Sequence, residues 1–139
     1  MRTVIVTWTF VTSLFIVSCV KDIPTPTTTY PLSSTAVGES IDTNNFSFGA
    51  TELKNISDSK SYSLYYNLPV VEVFLGGMLS SGSIDVEIKK EDGTSVYSKS
   101  LSGVIGHSQE LSFDEGMYTI DLSFDNATGN VGIDVEAEE

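Results

Sequence analysis

The chain has 139 residues, with 7 basic and 19 acidic side chains and a formal net charge of −12. An acidic surface of this strength repels nucleic acid phosphates, so we expect no nucleic-acid partner. The single cysteine excludes an internal disulfide bond, and the single histidine excludes a zinc site built from several imidazoles. We predict no cofactor.

Residues 1–18 predict a secretory signal peptide, because Arg2 is followed by an uncharged, largely apolar stretch from Thr3 to Ser18. That stretch is shorter than the roughly 20 residues that a membrane-spanning helix needs. Its end, Leu-Phe-Ile-Val-Ser-Cys at 14–19, resembles the lipobox of bacterial lipoproteins. The resemblance implies cleavage before Cys19, lipid such as palmitate on this residue, and attachment to the cell envelope at the outer membrane. The alternative is that Cys19 only fills an apolar segment.

Residues 19–37 predict an extended tether between the lipidated cysteine and a folded domain. Three of the four prolines lie within 24–31, and many of the other residues carry hydroxyl groups. Proline lacks a backbone donor and favours an extended, solvated path. A first edge strand within 30–37 is the alternative for the last residues of this segment.

Residues 38–139 predict one β domain. Apolar residues alternate with polar ones in the segments 61–66, 71–75, 84–88, 118–124 and 131–135. This alternation is typical of strands with one buried face. About seven short strands with frequent turns favour an all-β antiparallel sandwich, either immunoglobulin-like or a jelly roll.

The turn residues predict where these strands end. Asp92-Gly93 lies between the apolar segments 84–90 and 95–101 and predicts a β hairpin. Gly76-Gly77 and the segment 80–82 predict breaks in the middle of the chain. The segment 125–129, which ends in glycine, predicts a five-residue loop between the last two strands.

Five short motifs add a family resemblance. They are Leu-Pro-Val-Val-Glu-Val at 68–73, Ile-Asp-Val-Glu-Ile at 84–88, Asp-Gly-Thr-Ser-Val-Tyr at 92–97, Glu-Gly-Met-Tyr-Thr-Ile at 115–120 and Gly-Asn-Val-Gly-Ile at 129–133. In this order they resemble a family of small secreted Bacteroidota proteins of unknown function with an immunoglobulin-like β sandwich. The resemblance implies an envelope module without an assigned activity.

The sequence offers few groups for catalysis or metal binding. His107 has no second histidine or reactive cysteine to work with, so we interpret it as an exposed polar residue. Asp114 and Glu115 are adjacent, and adjacent strand positions point to opposite faces, which argues against a paired-carboxylate site. The segment 125–130 has the oxygen-rich composition that calcium prefers, but it lacks the spaced acids of a calcium loop, and we interpret it as a turn. We therefore predict no catalytic residue, no metal site and no enzyme.

Exposed aromatic side chains are the remaining candidates for ligand contact. Tyr62 and Tyr66 share one face of their strand, which leaves Tyr65 on the other face. Phe74 likewise lies on the face of its strand opposite the main apolar row. Such rings stack on sugars, so Tyr65 and Phe74 are the predicted ligand-contact residues. The leading hypothesis is a non-enzymatic, lipid-anchored envelope protein with a binding or structural role, whose glycan or protein partner is unknown. The alternatives are a carbohydrate-binding accessory module and a small hydrolase that uses surface carboxylates.

Overall fold

The computed structural model describes residues 29–138, which form an antiparallel β sandwich. The elements are a 3-10 turn (Leu32–Ser34) and six strands: β1 (Ala36–Asp42), β2 (Asn45–Tyr66), β3 (Val70–Lys90), β4 (Ser95–Leu101), β5 (Val104–Ser112) and β6 (Gly116–Ala137). The predicted all-β antiparallel sandwich is confirmed, with six strands in place of about seven. The predicted signal peptide, Cys19 and the tether up to residue 28 lie outside the described residues.

The sandwich arises because three long strands each contribute to two layers. The first layer has the order β1, 45–50 of β2, 129–137 of β6, 70–79 of β3, and β5. The second layer has the order 58–66 of β2, 116–124 of β6, 83–90 of β3, and β4. The layers pack face to face: the rings of Phe46 and Tyr62 lie 4.9 Å apart between centroids, and Tyr66 Oη donates to the carbonyl of Val135 at 3.2 Å.

Bulges carry the three long strands from one layer to the other. The register shifts between 50 and 58 in β2 and between 79 and 83 in β3. Asn55 and Asn126 adopt positive φ angles of 51° and 49° at these bends, and Gly82 adopts 74°. Bulges and left-handed residues bend a strand without ending it.

Three predicted interruptions are therefore wrong. Gly76-Gly77 and the segment 80–82 lie inside β3, and the predicted loop 125–129 lies inside β6. The residues that indicated turns instead form bulges, because neighbouring strands continue to pair on both sides of them. The hairpin between β3 and β4 is confirmed: the amide of Gly93 donates to the carbonyl of Lys90 at 2.9 Å, and Gly93 has a φ of 84°.

The core lies between the two layers and consists of the alternating residues predicted from the sequence. Tyr62, Leu64 and Tyr66 are buried on one face of β2, and corresponding rows are buried on β3 and β6. Burial of these apolar side chains is the main favourable contribution to folding. No described residue that is buried is polar or charged apart from the tyrosines.

The folded region begins before the predicted domain boundary at Gly38. Leu32 is fully buried, and its amide donates to Asp58 Oδ2 at 2.8 Å. Tyr30 forms an isolated parallel bridge with Ile56. The segment from 30 to 37 is therefore docked on the bulged end of the sandwich, which agrees with the alternative of ordered residues at the end of the tether.

Residues 29–138 include no helix with the length and apolar character required to span a bilayer.

Candidate functional site: a glycine trough on the outer face

A row of glycines crosses the outer face of the first layer. The row contains one residue from each of the five strands in that layer, in the order Gly38, Gly49, Gly132, Gly76 and Gly106. Neighbouring strands lie about 4.8 Å apart, so the row is roughly 19 Å long. We call this feature the glycine trough.

The backbone does not require these glycines. None of the five has a positive φ in the left-handed region, and a Cβ atom built on any of them would meet no atom closer than 4.0 Å. Glycine in a strand interior weakens the strand, because it costs more conformational entropy than other residues. The row therefore leaves open space on a sheet face where side chains would fit.

An aromatic ring and hydrogen-bonding groups form one rim of the trough. Phe74 is 40% exposed on β3, with Asp134 beside it on β6 and Ser108 beside it on β5. Ser47 Oγ donates to Asp134 Oδ1 at 2.5 Å, which holds this carboxylate at the rim. Phe74, Ser108, Asp134 and the central glycines line an open depression of about 510 Å³.

Apolar side chains form the other rim. Met78 on β3 is 54% exposed, and Val104, its partner on the edge strand β5, is 84% exposed. Asn130 pairs with Met78 from β6 and accepts a hydrogen bond from its amide at 2.9 Å. The trough thus combines exposed apolar surface with a few oriented polar groups, which is the usual composition of a ligand site.

The outer face of the second layer has a different character. Ion pairs and hydroxyl groups cover it: Lys89 Nζ lies 2.9 Å from Glu87 Oε2 and 3.1 Å from Asp121 Oδ2. These hydrogen bonds raise the pKa of Lys89. This face presents side chains that already have partners, as expected of a solvated surface.

The structure does not bring the two predicted ligand-contact residues together. Phe74 lies on the first layer, whereas Tyr65 lies on the outer face of the second layer. Tyr65 is also 40% exposed, but its hydroxyl donates to Glu115 Oε1 at 2.5 Å, and this hydrogen bond raises the pKa of Tyr65. Of these two residues, only Phe74 lines the open depression of the glycine trough.

The carboxylates considered for catalysis are occupied by separate donors. Asp114 Oδ2 accepts from Lys90 Nζ at 2.5 Å, while Glu115 accepts from Tyr65. The hydrogen bond to Asp114 raises the pKa of Lys90. Both acids lie in the exposed connection between β5 and β6.

The segment considered for calcium forms part of the bend in β6. Thr128 Oγ1 accepts from the amide of Asn55 at 3.0 Å, and Asp125 Oδ1 accepts from Asn126 Nδ2 at 2.7 Å. These oxygen atoms stabilise the bulges. Between residues 29 and 138, no three His, Cys, Asp or Glu side chains are grouped so that they could hold a metal ion.

The five aligned glycines were not recognised from the sequence. A signal exists for two of them, since Gly132 lies at an outward position of the alternating segment 131–135 and Gly76 directly follows the segment 71–75. Their alignment across five strands depends on the pairing register, which a single sequence does not reveal.

Comparison with known proteins gives similarity to solved structures alone. No family model matches the chain, and no curated protein matches it. The chain is similar to a structure of CBM4, a carbohydrate-binding module, with 10% identity, a TM-score of 0.40, and coverage of 78% of this chain and 81% of that one. It is also similar to the CBM36-1 domain of a multidomain xylanase from the hindgut metagenome of Trinervitermes trinervoides, with 19% identity, a TM-score of 0.38, and coverage of 73% and 91%.

A third similar structure is the enzymatically active domain of tailspike protein 4 of bacteriophage CBA120, with 12% identity and a TM-score of 0.38. The match covers 81% of this chain and 18% of that one. Similarities at these identities and scores carry no inference about a ligand. The resemblance to the Bacteroidota family stays a prediction.

Proposed function

We propose that this protein is a non-enzymatic binding protein, anchored in the bacterial envelope by lipid on Cys19, and that its glycine trough binds a carbohydrate chain. The observation that carries the proposal is the exposed ring of Phe74 beside the trough, with Asp134 and Ser108 next to it. A sugar ring presents an apolar face, which stacks on an aromatic side chain, and hydroxyl groups, which donate to carboxylates.

The shape of the trough supports an extended ligand. Its five glycines leave a continuous path about 19 Å long that is open at both sheet edges. A chain of several sugar units lies along such a path, whereas an isolated small molecule needs a more enclosed site. The apolar rim formed by Met78 and Val104 offers a second surface for the faces of sugar rings.

Binding without turnover agrees with the chemistry of the described residues. The carboxylate of Asp134 accepts from Ser47, and Glu72 accepts from Ser108 Oγ at 2.5 Å. A panel of chromogenic glycosides tests the hydrolase alternative, since release of dye by the purified protein would contradict the non-enzymatic proposal.

A polysaccharide-binding assay tests the trough directly. The mature chain from residue 19, with Cys19→Ser to prevent lipidation, is run in affinity electrophoresis through gels that contain individual polysaccharides. We expect at least one polysaccharide to retard the protein, and Phe74→Ala to weaken that retardation about fivefold or more, because stacking contributes about 1 kcal/mol. Gly132→Val fills the trough and is expected to abolish it.

Tyr65→Ala is the matched control, because it removes an equally exposed aromatic ring from the opposite layer. Melting temperatures of all variants establish that they remain folded. Loss of retardation in Tyr65→Ala alone would move the site to the second layer, and absence of retardation with every polysaccharide would refute carbohydrate binding.

The lipid anchor has a separate test. The motif at 14–19 and the proline-rich tether support it. A globomycin-type inhibitor of lipoprotein signal processing is expected to trap the precursor, and Cys19→Ser is expected to prevent incorporation of labelled palmitate. Normal processing in the presence of the inhibitor would refute the lipoprotein assignment, whatever the result of the polysaccharide assay.

A further inference from the structure

The two edges of the second layer carry the same pair of inward side chains. The register places Lys60 and Lys99 at opposite ends of one row that also contains Leu122 and Val86. The next row ends in Tyr62 and Tyr97, with Ile120 and Ile88 between them. Each edge of the layer therefore presents a lysine and a tyrosine two residues apart on the same side of one strand.

A carboxylate occupies the first of these edges. Glu39 on β1 reaches across from the first layer, and its Oε1 accepts from Lys60 Nζ at 2.7 Å and from Tyr62 Oη at 2.8 Å. The hydrogen bond from Lys60 lowers the pKa of Glu39. This arrangement shows which chemical group the lysine and tyrosine pair accommodates: an ionised carboxylate that two donors share.

No carboxylate of the described chain reaches the second edge. The row of the first layer that begins at Glu39 runs through Phe48, Ile133 and Leu75 and ends at His107 on β5. One end of this row therefore carries an acid and the other an imidazole. The prediction that His107 is an exposed polar residue is wrong, because its side chain is half-buried and its Nε2 atom is buried. Among residues 29–138, Lys99 forms no salt bridge, a condition that it shares with Lys54.

Buried polar atoms without partners mark this edge. Tyr97 is only 6% exposed, yet its Oη has no hydrogen-bond partner, and Nε2 of His107 is also buried without one. Within the described part of the chain, these are the two buried side-chain polar atoms that lack a hydrogen-bond partner. Buried polar groups are nearly always paired, so their joint occurrence at one edge points to a group that comes from outside the chain.

We propose that the cleft between β4 and β5 is a binding site for the carboxylate of an external ligand. Lys99 and His107 line this cleft, whose volume is about 200 Å³, together with Ser100 and Ser102. Lys99 and His107 each carry a group able to donate to a carboxylate in this cleft. Tyr97, two residues from Lys99 on the same side of β4 but outside the lining, carries a third donor. The bound group takes the place that Glu39 takes at the opposite edge.

The cleft adjoins the glycine trough. Gly106 and His107 line both the cleft and the depression beside Phe74, and Val104 on the apolar rim of the trough also lines the cleft. Lys99 lines the cleft alone, so Lys99→Met reports on the cleft and Phe74→Ala reports on the trough. A free small acid and the acidic unit of a sugar both carry the required carboxylate, and separate measurements with acetate and with D-glucuronate distinguish these two sources.

Nuclear magnetic resonance titration of the mature chain with Cys19→Ser tests the proposal. At constant ionic strength, sodium acetate is expected to shift the amide signals of residues 97, 99 and 107 in a saturable manner, and neutral acetamide is expected to leave them unchanged. The signals of 39, 60 and 62 serve as an internal control, because Glu39 already fills that edge. A lower dissociation constant for glucuronate than for acetate identifies an acidic sugar, and equal constants identify small acids in general.

Two variants remove one donor each. Tyr97→Phe and Lys99→Met are each expected to raise the dissociation constant of acetate about tenfold, because a hydrogen bond to a charged group is lost. Lys54→Met is the matched control, since Lys54 also forms no salt bridge with a described residue and lies outside the cleft. The proposal is overturned if acetate and acetamide give equal shifts, if shifts appear at all lysines alike, or if both variants bind acetate as the parent does.

Discussion

Adjacent glycines in β3 are expected to respond in opposite ways to the same substitution. Gly77 has a φ of 133°, and a Cβ atom there would lie 2.9 Å from the Cα atom of Val131 and still closer to the backbone of Asn130. Gly76 has no such φ angle, and a Cβ atom there would meet nothing within 4 Å. The backbone conformation requires glycine at 77, whereas at 76 glycine only leaves open space. A comparison of the stabilities of Gly76→Ala and Gly77→Ala therefore distinguishes these two roles.

The structure gives the sign and the size of each effect. At Gly77, the disallowed backbone conformation costs about 1–3 kcal/mol, and forced movement of β6 adds a similar amount. A loss of about 3 kcal/mol in unfolding free energy lowers the melting temperature of a domain of this size by roughly 12–24 °C. At Gly76, alanine is expected to raise the unfolding free energy by about 0.5–1 kcal/mol, because it reduces the entropy of the unfolded chain.

Thermal unfolding followed by circular dichroism measures both variants against the parent protein. Urea denaturation gives the free energies independently, and an unchanged m-value shows that the unfolded states are comparable. If Gly76→Ala destabilises the protein as strongly as Gly77→Ala, the fold itself requires the glycines of the trough, and they are not there to keep a ligand path open.

Two further predictions concern the edges of the sandwich. The pKa of Glu39 is lowered in the folded protein, mainly by the hydrogen bond from Lys60, so its contribution to stability is present above its ordinary pKa of 4.5 and is lost as the pH falls through the folded value. Glu39→Gln is expected to flatten that part of the pH dependence of the unfolding free energy. A pH profile equal to that of the parent protein would show that the hydrogen bonds of Glu39 with Lys60 and Tyr62 do not stabilise the fold. Leu32→Ala is expected to lower the unfolding free energy by about 2–4 kcal/mol in urea denaturation, because this side chain is fully buried. Ser33→Ala, at an exposed neighbouring position, is its control, and equal stability of the two variants would show that the segment contributes nothing to the core.

The alternation of side chains was predicted correctly from the sequence. Tyr62 and Tyr66 are buried, and Tyr65 and Phe74 are exposed, because successive residues of a strand point to opposite faces wherever the strand lies. The β3–β4 hairpin was also predicted, since Asp92-Gly93 supplies a turn that requires only local residues. Local geometry alone determines both features.

The bends were predicted wrongly because their residues have two uses. Gly82 and Asn126 adopt positive φ angles, which suit a loop and a bulge equally well. The choice depends on whether a neighbouring strand continues to pair beyond the bend, and that neighbour is distant in sequence. Residue 82 lies beside 125–126, more than 40 positions away along the chain.

The sequence by itself determined an acidic, all-β chain with one apolar row per strand and the outward position of Phe74. Tertiary structure decided which outward residues are neighbours. Pairing of β1, β2, β6, β3 and β5 aligned five glycines into one trough, and folding of the long strands placed Glu39 at one edge and His107 at the other. The physical reason is that hydrogen bonding between strands sets the register, and the register joins residues that have no relation in sequence.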